Sequence, residues 1–249
     1  MKIIQITDLH IGRKGEDTFG IDVRKNFLDI LNVIKKLKPA LLILSGDLCY
    51  HEGDPEIYRW IKSHLDFQRL PYEVIGGNHD DSQTMAKVFE RQRLLVGDEL
   101  YFKKIIGNYC CLFLDSSKGF LSEEQLKWLE HEMYYLKKDV LIFMHHPPVD
   151  GGVPHMENNY ALTGREVIQS ILSKFPENIP IFCGHYHVEK TIFVNNLLVH
   201  ITPSCFFQID WRIQDFKVDH HQIALREIEF GSRYLRSTVS YFEGNKLPR

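Results

Sequence analysis

Short apolar runs recur along the chain, and polar residues follow each run directly. Residues 2–7 alternate in polarity and are rich in β-branched side chains, which predicts a first strand. Further strands, most of them continuous apolar runs typical of strands covered on both faces, are predicted at residues 40–44, 72–75, 109–114, 140–144 and 179–183. We expect these strands to present acidic, amide or imidazole groups at their carboxyl ends.

Helical periodicity separates several of these strands. Apolar side chains at three- and four-residue spacings predict a helix that ends before Pro39, with a buried face formed by Phe27, Ile30, Leu31, Ile34 and Leu37. A second helix is predicted from Pro55 to about residue 65. A third begins at Ser122, which has the spacing of a capping box with Gln125, and runs to about residue 136. This order of elements indicates an α/β fold.

The carboxyl-terminal part of the chain is rich in short strands. They are predicted at residues 191–194, 197–201, 223–228 and 235–241, with turn residues between them. We expect the region from about residue 200 to 249 to complete a second sheet within a single domain spanning residues 1–249. The stretch 150–159 contains two glycines and a proline, and it is the predicted mobile loop.

The bulk composition is that of an ordinary globular protein. Of the 249 residues, 44% are hydrophobic and 25% are charged, which is enough for one substantial core. No apolar run approaches the ~18 residues that a membrane-spanning helix needs, and the first apolar run is too short for a signal peptide. We therefore expect a cytoplasmic protein with no membrane partner.

Cysteine usage and charge narrow the classes of function. The five cysteines form an odd set without a Cys-x-x-Cys pair, which argues against a disulfide framework and against a thiolate zinc site. The formal net charge is −3, and Lys and Arg are scattered, so the chain has no basic stripe for a nucleic-acid backbone. Long nucleic acid is not an expected partner. The thirteen histidines are more informative, because several follow the apolar runs.

Polar blocks that end apolar runs carry the candidate chemistry, and they are Asp8-Leu9-His10, Gly46-Asp47, Gly77-Asn78-His79-Asp80, His145-His146-Pro147-Pro148 and Gly184-His185-Tyr186-His187. Each block alone has an ordinary explanation as a turn or a rigid loop. Together they are hard to attribute to turns, because ligands of open α/β sheets bind beyond the carboxyl ends of the strands. Imidazole and carboxylate groups without thiolate favour a transition metal over magnesium or calcium. The blocks together supply about seven Asp, Asn and His side chains, and one metal rarely takes so many. Two ions that share a bridging carboxylate are therefore expected.

In these blocks, which span residues 8–187, the sequence resembles the calcineurin-like metallophosphoesterase superfamily. The resemblance implies a four-layered α-β-β-α sandwich of two mixed sheets, with a binuclear site at the strand ends. It implies that the first metal is held by Asp8, His10 and His187. It implies that the second is held by Asn78, His145 and His185, and that Asp47 bridges the two ions.

The resemblance also implies roles beside the metal shell. His79 would lie outside the shell, contact the substrate together with Asn78, and protonate the leaving group after attack by a metal-bound hydroxide. His146 would be a neighbour of the ligands rather than a ligand. Iron or manganese would be the favoured ions, with zinc, cobalt and nickel as alternatives.

Within the superfamily, the chain is most similar to bacterial class III cyclic nucleotide phosphodiesterases and to the related glycerophosphodiesterases. The similarity runs from about residue 2 to 242 and includes Gly20-Ile21-Asp22 and Asn78-His79-Asp80-Asp81, while residues 202–208 favour the cyclic nucleotide branch. It implies a small phosphodiester substrate, with 3′,5′-cyclic AMP preferred and a glycerophosphodiester as the alternative. A non-catalytic scaffold is a third, weaker alternative.

Two expectations remain open on the sequence alone. Aromatic side chains that would stack on a base, or would equally belong to the core, are Phe206, Phe207 and Trp211. Relatives of this kind are commonly dimeric or larger, so we expect a homo-oligomer whose interface lies after residue 200.

Overall fold

The computed structural model describes residues 1–136, 139–231 and 234–247. Its strands are β1 (Lys2–Ile6), β2 (Leu41–Ser45), β3 (Tyr72–Ile75), β4 (Leu95–Val96), β5 (Glu99–Leu100), β6 (Phe102–Ile106), β7 (Tyr109–Phe113), β8 (Val140–Phe143), β9 (Ile179–Cys183), β10 (Lys190–Val194), β11 (Leu197–Ile201), β12 (Gln208–Ile209), β13 (Val218–His220), β14 (Ile223–Gly231) and β15 (Tyr234–Phe242). Its helices are α1 (Val23–Leu37), α2 (Pro55–Gln68), α3 (Ser82–Val88), α4 (Glu123–Tyr135), α5 (Pro154–Tyr160) and α6 (Arg165–Leu172), with a short 3₁₀ helix at Gln92–Leu94.

Two mixed sheets form the centre of the molecule. The first has the order β15-β14-β1-β2-β3, with β1, β2 and β3 parallel and with β14 antiparallel to β1. The second has the order β10-β11-β9-β8-β7-β6, with β7, β8, β9 and β11 parallel. Helices α1 and α2 pack together on the first sheet, and α4 packs against α6 on the second. This is the expected four-layered α-β-β-α sandwich.

A buried polar network joins the two sheets beneath their carboxyl-terminal edge. Gln5 of the first sheet donates to the carbonyl of Cys183 in the second at 3.2 Å. Thr202, which follows β11, donates to Gln5 Oε1 at 2.7 Å and accepts from Nε of Arg226 at 2.8 Å. Because all three side chains are buried and paired, the network fixes how the sheets face one another.

The predicted strands and helices are present within a few residues of their expected bounds. Ser122 caps α4 by accepting the backbone N–H of Gln125 at 3.1 Å. The Gln125 side chain does not complete the capping box as predicted, because it bonds both backbone groups of Asp115 at 2.8 Å. It thereby holds the end of β7 against α4.

Two expectations about the fold are wrong. Most of the stretch predicted as a mobile loop is helix α5, which starts at Pro154, where a proline needs no backbone donor. Strands β14 and β15 extend the first sheet rather than completing the second, because β14 covers the free edge of β1 with Ile3 opposite Ile228. Among the described residues, no helix is both long and apolar enough to cross a membrane.

Candidate metal centre

The polar blocks meet where the two sheets face each other. Asp8 and Asp47 follow β1 and β2 of the first sheet, whereas His145 and His185 follow β8 and β9 of the second. Parallel strands end at the same edge of a sheet, so four separate turns deliver their side chains into one cleft. These residues are buried, as are His10 and His187.

Interatomic distances divide the cleft into two groups of ligand atoms. The first contains His187, whose Nε2 lies 3.4 Å from Asp8 Oδ1 and 3.2 Å from His10 Nε2. The second contains His145 and His185, together with His146. In each group the candidate ligand atoms lie within 4.8 Å of one another, which is close enough for one ion.

Asp47 lies between these groups. Its Oδ2 is 3.2 Å from Nε2 of His145 and 3.7 Å from Nε2 of His10. The other carboxylate oxygen accepts the backbone N–H of His79 at 2.9 Å, which fixes the orientation of the carboxylate. One oxygen is therefore within reach of both groups, as a bridging ligand requires.

Backbone carbonyl groups orient the imidazoles. Nδ1 of His145 donates to the carbonyl of Ser45, and Nδ1 of His187 donates to that of Phe207, both at 2.9 Å. His185 is turned the other way, with Nε2 donating to the carbonyl of Tyr160 at 2.9 Å. A carbonyl accepts only from a protonated nitrogen, so the opposite nitrogen of each neutral ring offers a lone pair.

Burial and charge determine the ionisation of the cluster. Burial lowers the pKa of His10 to about 3 and the pKa of His185 to about 4, so both rings are neutral at pH 7. Burial also disfavours the charged form of His145, but the Asp47 carboxylate offsets this effect and raises the pKa of His145 to about 9. Without a bound ion His145 therefore keeps a proton at pH 7, and a cation bound at its Nε2 would displace that proton. The neutral imidazoles of His10 and His185 and the carboxylates of Asp8 and Asp47 form a donor set that suits a divalent cation.

The surroundings of one buried nitrogen atom show whether a metal ion would fit the cleft. Nε2 of His145 is fully buried, and among the described residues it has no hydrogen-bond partner. Asp47 Oδ2 is close to it, but the two atoms do not meet at a hydrogen-bonding angle. Since a buried polar atom normally has a partner, the cleft is built for one more positively charged group at this point. The donor set therefore fits transition-metal ions.

The backbone is strained where it delivers these side chains. Positive φ angles occur at Asp8 (55°), His10 (44°), Asp47 (51°), His185 (69°) and His187 (51°). Non-glycine residues adopt such angles rarely and at a cost of about 1–3 kcal/mol each. Such clustering is typical of functional sites, where the surrounding structure holds residues in unfavourable conformations.

Glycine at position 77 is required for space. A Cβ there would lie 2.8 Å from Nε2 of His145 and would overlap Asp47. The adjacent Asn78 is exposed at the rim of the cleft, within the turn that follows β3. The turn carries His79 to the open side of the metal cluster, whereas Asn78 makes no hydrogen bond with the cluster among the described residues.

His79 reaches the cluster from this open side. Its ring is 4.9 Å from that of His10, and one of its nitrogens lies within 4.8 Å of ligand atoms of His10 and Asp47. Nδ1 donates to the carbonyl of His51 at 2.9 Å, so Nε2 is the nitrogen left to act. The expected position of His79 outside the metal shell stays a prediction.

The chain matches the family described as "Calcineurin-like phosphoesterase" over residues 1–189, and all five polar blocks fall within that match. The chain belongs to this family. A probable cyclic nucleotide phosphodiesterase of Fibrobacter succinogenes is 36% identical over 242 residues, covering 97% of this chain and 94% of the relative. A probable glycerophosphodiester phosphodiesterase, GpdQ, of Arcobacter nitrofigilis is 33% identical over 225 residues, covering 84% of this chain and 80% of the relative.

Solved structures agree on the fold of this phosphoesterase. The crystal structure of a dimetal phosphatase from Danio rerio superposes with a TM-score of 0.71 and covers 98% of this chain and 96% of that chain. At 12% sequence identity, this similarity concerns the fold alone.

Sequence reasoning missed the groups that support the ligands. Ser116 accepts the backbone N–H of His146 at 3.1 Å and pairs with Nδ1 of the same residue at 2.9 Å. Asp80 accepts the backbone N–H groups of Leu48 and Gly77 and the hydroxyl of Tyr58. Asp80 ends one of the polar blocks and Ser116 follows the strand predicted at residues 109–114, so both positions were signals, although nothing in the sequence indicated their partners.

Proposed function

We propose that this member of the calcineurin-like phosphoesterase family is a two-metal phosphodiesterase that prefers a 3′,5′-cyclic nucleotide. The observation that carries the proposal is the position of Asp47 Oδ2, within 3.2 Å of His145 Nε2 and 3.7 Å of His10 Nε2. The preference for a cyclic nucleotide rests on the 36% identity to a relative named for that activity across almost the whole chain.

The ligand assignment follows the two groups of atoms with one exception: the family resemblance supports Asn78 in place of His146, whose Nδ1 pairs with Ser116. We assign one ion to Asp8, His10 and His187, and the other to Asn78, His145 and His185, with Asp47 shared. Iron or manganese is the proposed occupant, because imidazole and carboxylate ligands accept first-row ions, with zinc, cobalt and nickel as alternatives. When bound, two such ions activate water and clamp the displacement at phosphorus.

The protein's own residues bind the substrate and move a proton. The Asn78 amide lies at the rim of the cleft, where it would donate to a phosphoryl oxygen. The His79 ring is held by its Nδ1–H bond to the His51 carbonyl, so a proton on Nε2 points toward the open side of the cluster. Delivery of that proton to the departing alkoxide would complete cleavage of the ester.

A glycerophosphodiester is the second candidate substrate. The observation in its favour is the 33% identity to a relative named for that activity. Hydrolysis of either substrate needs the same metal-binding side chains and the same proton at His79. They differ only in the leaving group, so the residues beyond the metal cluster decide between them.

The test compares turnover of cyclic AMP and of glycerophosphocholine by the manganese-reconstituted protein. We expect a higher kcat/KM for cyclic AMP, and loss of both activities and of at least one bound metal in Asp47→Ala. The control is Asp66→Ala, which removes an exposed carboxylate on α2. Preference for glycerophosphocholine would select the second candidate, and unchanged activity in Asp47→Ala would refute the two-metal proposal.

We further propose a cytoplasmic location and a homo-oligomer. The five buried cysteine side chains suit a reducing compartment, where thiols persist. For the interface we propose β15, since it is the outer strand of the first sheet and lies after residue 200. Monomeric mass in light scattering would refute the oligomer, and recovery of the native protein from a periplasmic fraction would refute the location.

A further inference from the structure

A series of aromatic rings leads from the metal cluster to the surface. Phe206 lies 5.2 Å from the ring of His10, and Phe207 lies 5.1 Å from that of His187. Beyond them, Phe19 and Phe216 each contact Phe207, at 5.6 and 5.9 Å between ring centroids. The inner rings are buried, whereas Phe19 is 59% exposed and Phe216 is 45% exposed.

Phe19 is held at the mouth of the cleft rather than folded inward. Its φ of 55° is a left-handed conformation that a bulky side chain rarely adopts. Hydrogen bonds fix the backbone on both sides, with Thr18 Oγ1 donating to the Ile21 carbonyl at 2.6 Å and Leu247 N–H donating to the Gly20 carbonyl at 2.9 Å. An exposed phenyl ring in a strained but well-bonded loop is a candidate for contact with a ligand.

We propose that Phe19 and Phe216, supported from beneath by the buried ring of Phe207, form an aromatic platform that stacks the nucleobase of the substrate; this inference rests on the proposed function and names the residues that set its specificity. Phe207 contacts both His187 and Phe216, so the width of one phenyl ring separates the outer rings from the metal cluster. A single ribose places the base about as far from the phosphate. Phenyl faces favour flat, unsaturated groups, and glycerol offers none.

The surroundings argue against a quaternary ammonium group as the occupant. Trp211 would be the strongest aromatic host for a cation, but Nζ of Lys190 already lies 4.4 Å from its ring centroid. The ring of His155 lies 5.6 Å from that of Phe216 and offers no negative charge to a cation. An imidazole at this point would instead hydrogen-bond the edge of a stacked base.

These contacts distinguish the two roles expected for the aromatic residues at positions 206, 207 and 211, which are stacking on a base and packing in the core. Phe206 is buried against His10 and Tyr50, and it belongs to the core that supports the first metal group. Nζ of Lys190 lies over the Trp211 ring, which is 48% exposed and makes no ring contact with the platform among the described residues. Phe207 is the one residue of the three that contributes to the platform, because its buried ring supports the exposed rings of Phe19 and Phe216.

The test measures binding of AMP and of ribose 5-phosphate to the manganese-loaded protein by calorimetry, since ribose 5-phosphate carries a hydroxyl where AMP carries the base. We expect AMP to bind at least about tenfold more tightly, within the range that stacking of one base supplies. Phe19→Leu and Phe216→Leu keep an apolar side chain but remove a ring. Each should lose most of the preference for AMP while the Kd for ribose 5-phosphate changes less than about twofold.

Two variants serve as controls. Phe216→Tyr retains the ring and should retain the preference for AMP. Phe67→Leu removes an exposed phenyl ring on α2, far along the chain from the platform, and should change neither Kd. Thermal unfolding of all four variants verifies that each is folded.

Three results would overturn the platform. They are equal affinity for AMP and ribose 5-phosphate in the unaltered protein, an unchanged preference in both Leu variants, and selective loss of glycerophosphocholine turnover over glycerophosphoethanolamine turnover in those variants. The last would assign the rings to a quaternary ammonium group. Absence of cyclic AMP turnover together with ring-dependent AMP binding would refute the proposed function and leave the platform standing.

Discussion

Oδ2 of Asp47 lies 3.2 Å from Nε2 of His145, across the boundary between the two sheets. Asp47 follows β2 of the first sheet, and His145 follows β8 of the second. A cation that binds both groups therefore ties the two sheets together. It also provides a partner for the buried Nε2 of His145.

Metal removal should destabilise the protein for this reason. A ligand at 100 times its Kd stabilises the folded state by about 2.7 kcal/mol, which corresponds to roughly 5–10 °C in Tm for a chain of this size. We expect EDTA treatment and desalting to lower Tm by that amount, as measured by scanning calorimetry, and manganese to restore it. Asp47→Ala should show no such response. Equal Tm values with and without metal would contradict the proposed ligand set.

His79→Ala should separate catalysis from metal binding. The variant loses the proton that we propose reaches the leaving group, so kcat should fall by about 10²–10⁴-fold. Metal content, measured by plasma mass spectrometry, should stay at two ions per chain. His131→Ala on α4 is the matched control. Loss of an ion from His79→Ala would instead assign His79 to the metal shell, where its distance to His10 and Asp47 also allows it.

The sequence predicted the strands of the site because buried parallel strands are continuous apolar runs with polar residues at one end. Sheet membership is not encoded in this way. Strand β14 pairs with β1 although more than two hundred residues separate them, and no local pattern distinguishes that edge from the edge of the second sheet. Helix α5 has only seven residues, which is too short for a recognisable apolar period.

The candidate ligands were also recognisable from sequence, whereas the groups that orient them were not. His185 and His187 are held by the backbone carbonyls of Tyr160 and Phe207. Any residue type supplies a carbonyl, so neither contact leaves a signal in the sequence. The exposure of Phe19 and Phe216 also leaves no signal in the sequence, because it depends on how the loops that carry Phe19, Phe207 and Phe216 meet.

The network beneath the site should contribute measurably to stability. Thr202→Val removes a hydroxyl and keeps the shape, leaving Nε of Arg226 and Oε1 of Gln5 unpaired and buried. Leaving a buried polar group unpaired costs about 1–3 kcal/mol, so we expect the free energy of unfolding in urea to fall by at least that amount. Thr163→Val makes the same change at an exposed position before α6 and should stay within about 0.5 kcal/mol. Equal effects of the two substitutions would refute a role for the network.

His200 should make the protein less stable in mild acid. It is 7% exposed on β11, stacks on Phe182 at 5.1 Å, and its Nε2 has no hydrogen-bond partner among the described residues. Burial, with a smaller contribution from the charge of Arg226, lowers its pKa from 6.5 to about 4. Between those two pH values the unfolded chain binds the proton more readily than the folded chain. The contribution of neutral His200 to the free energy of unfolding is therefore fully present above pH 6.5 and is lost as the pH falls toward 4.

The substitution His200→Phe isolates this effect, because it keeps a ring against Phe182 and removes the titrating group. For a pKa of about 4 in the folded protein, His200 accounts for about 2 kcal/mol of the stability lost between pH 7 and pH 5. We expect the difference in unfolding free energy between these pH values, measured in urea, to shrink by that amount in the variant. His131→Phe removes an exposed histidine from α4 and should leave the difference unchanged. If both variants retain the full pH dependence, His200 takes up its proton in the folded state, and the polar groups around it must reorganise to accept the charge.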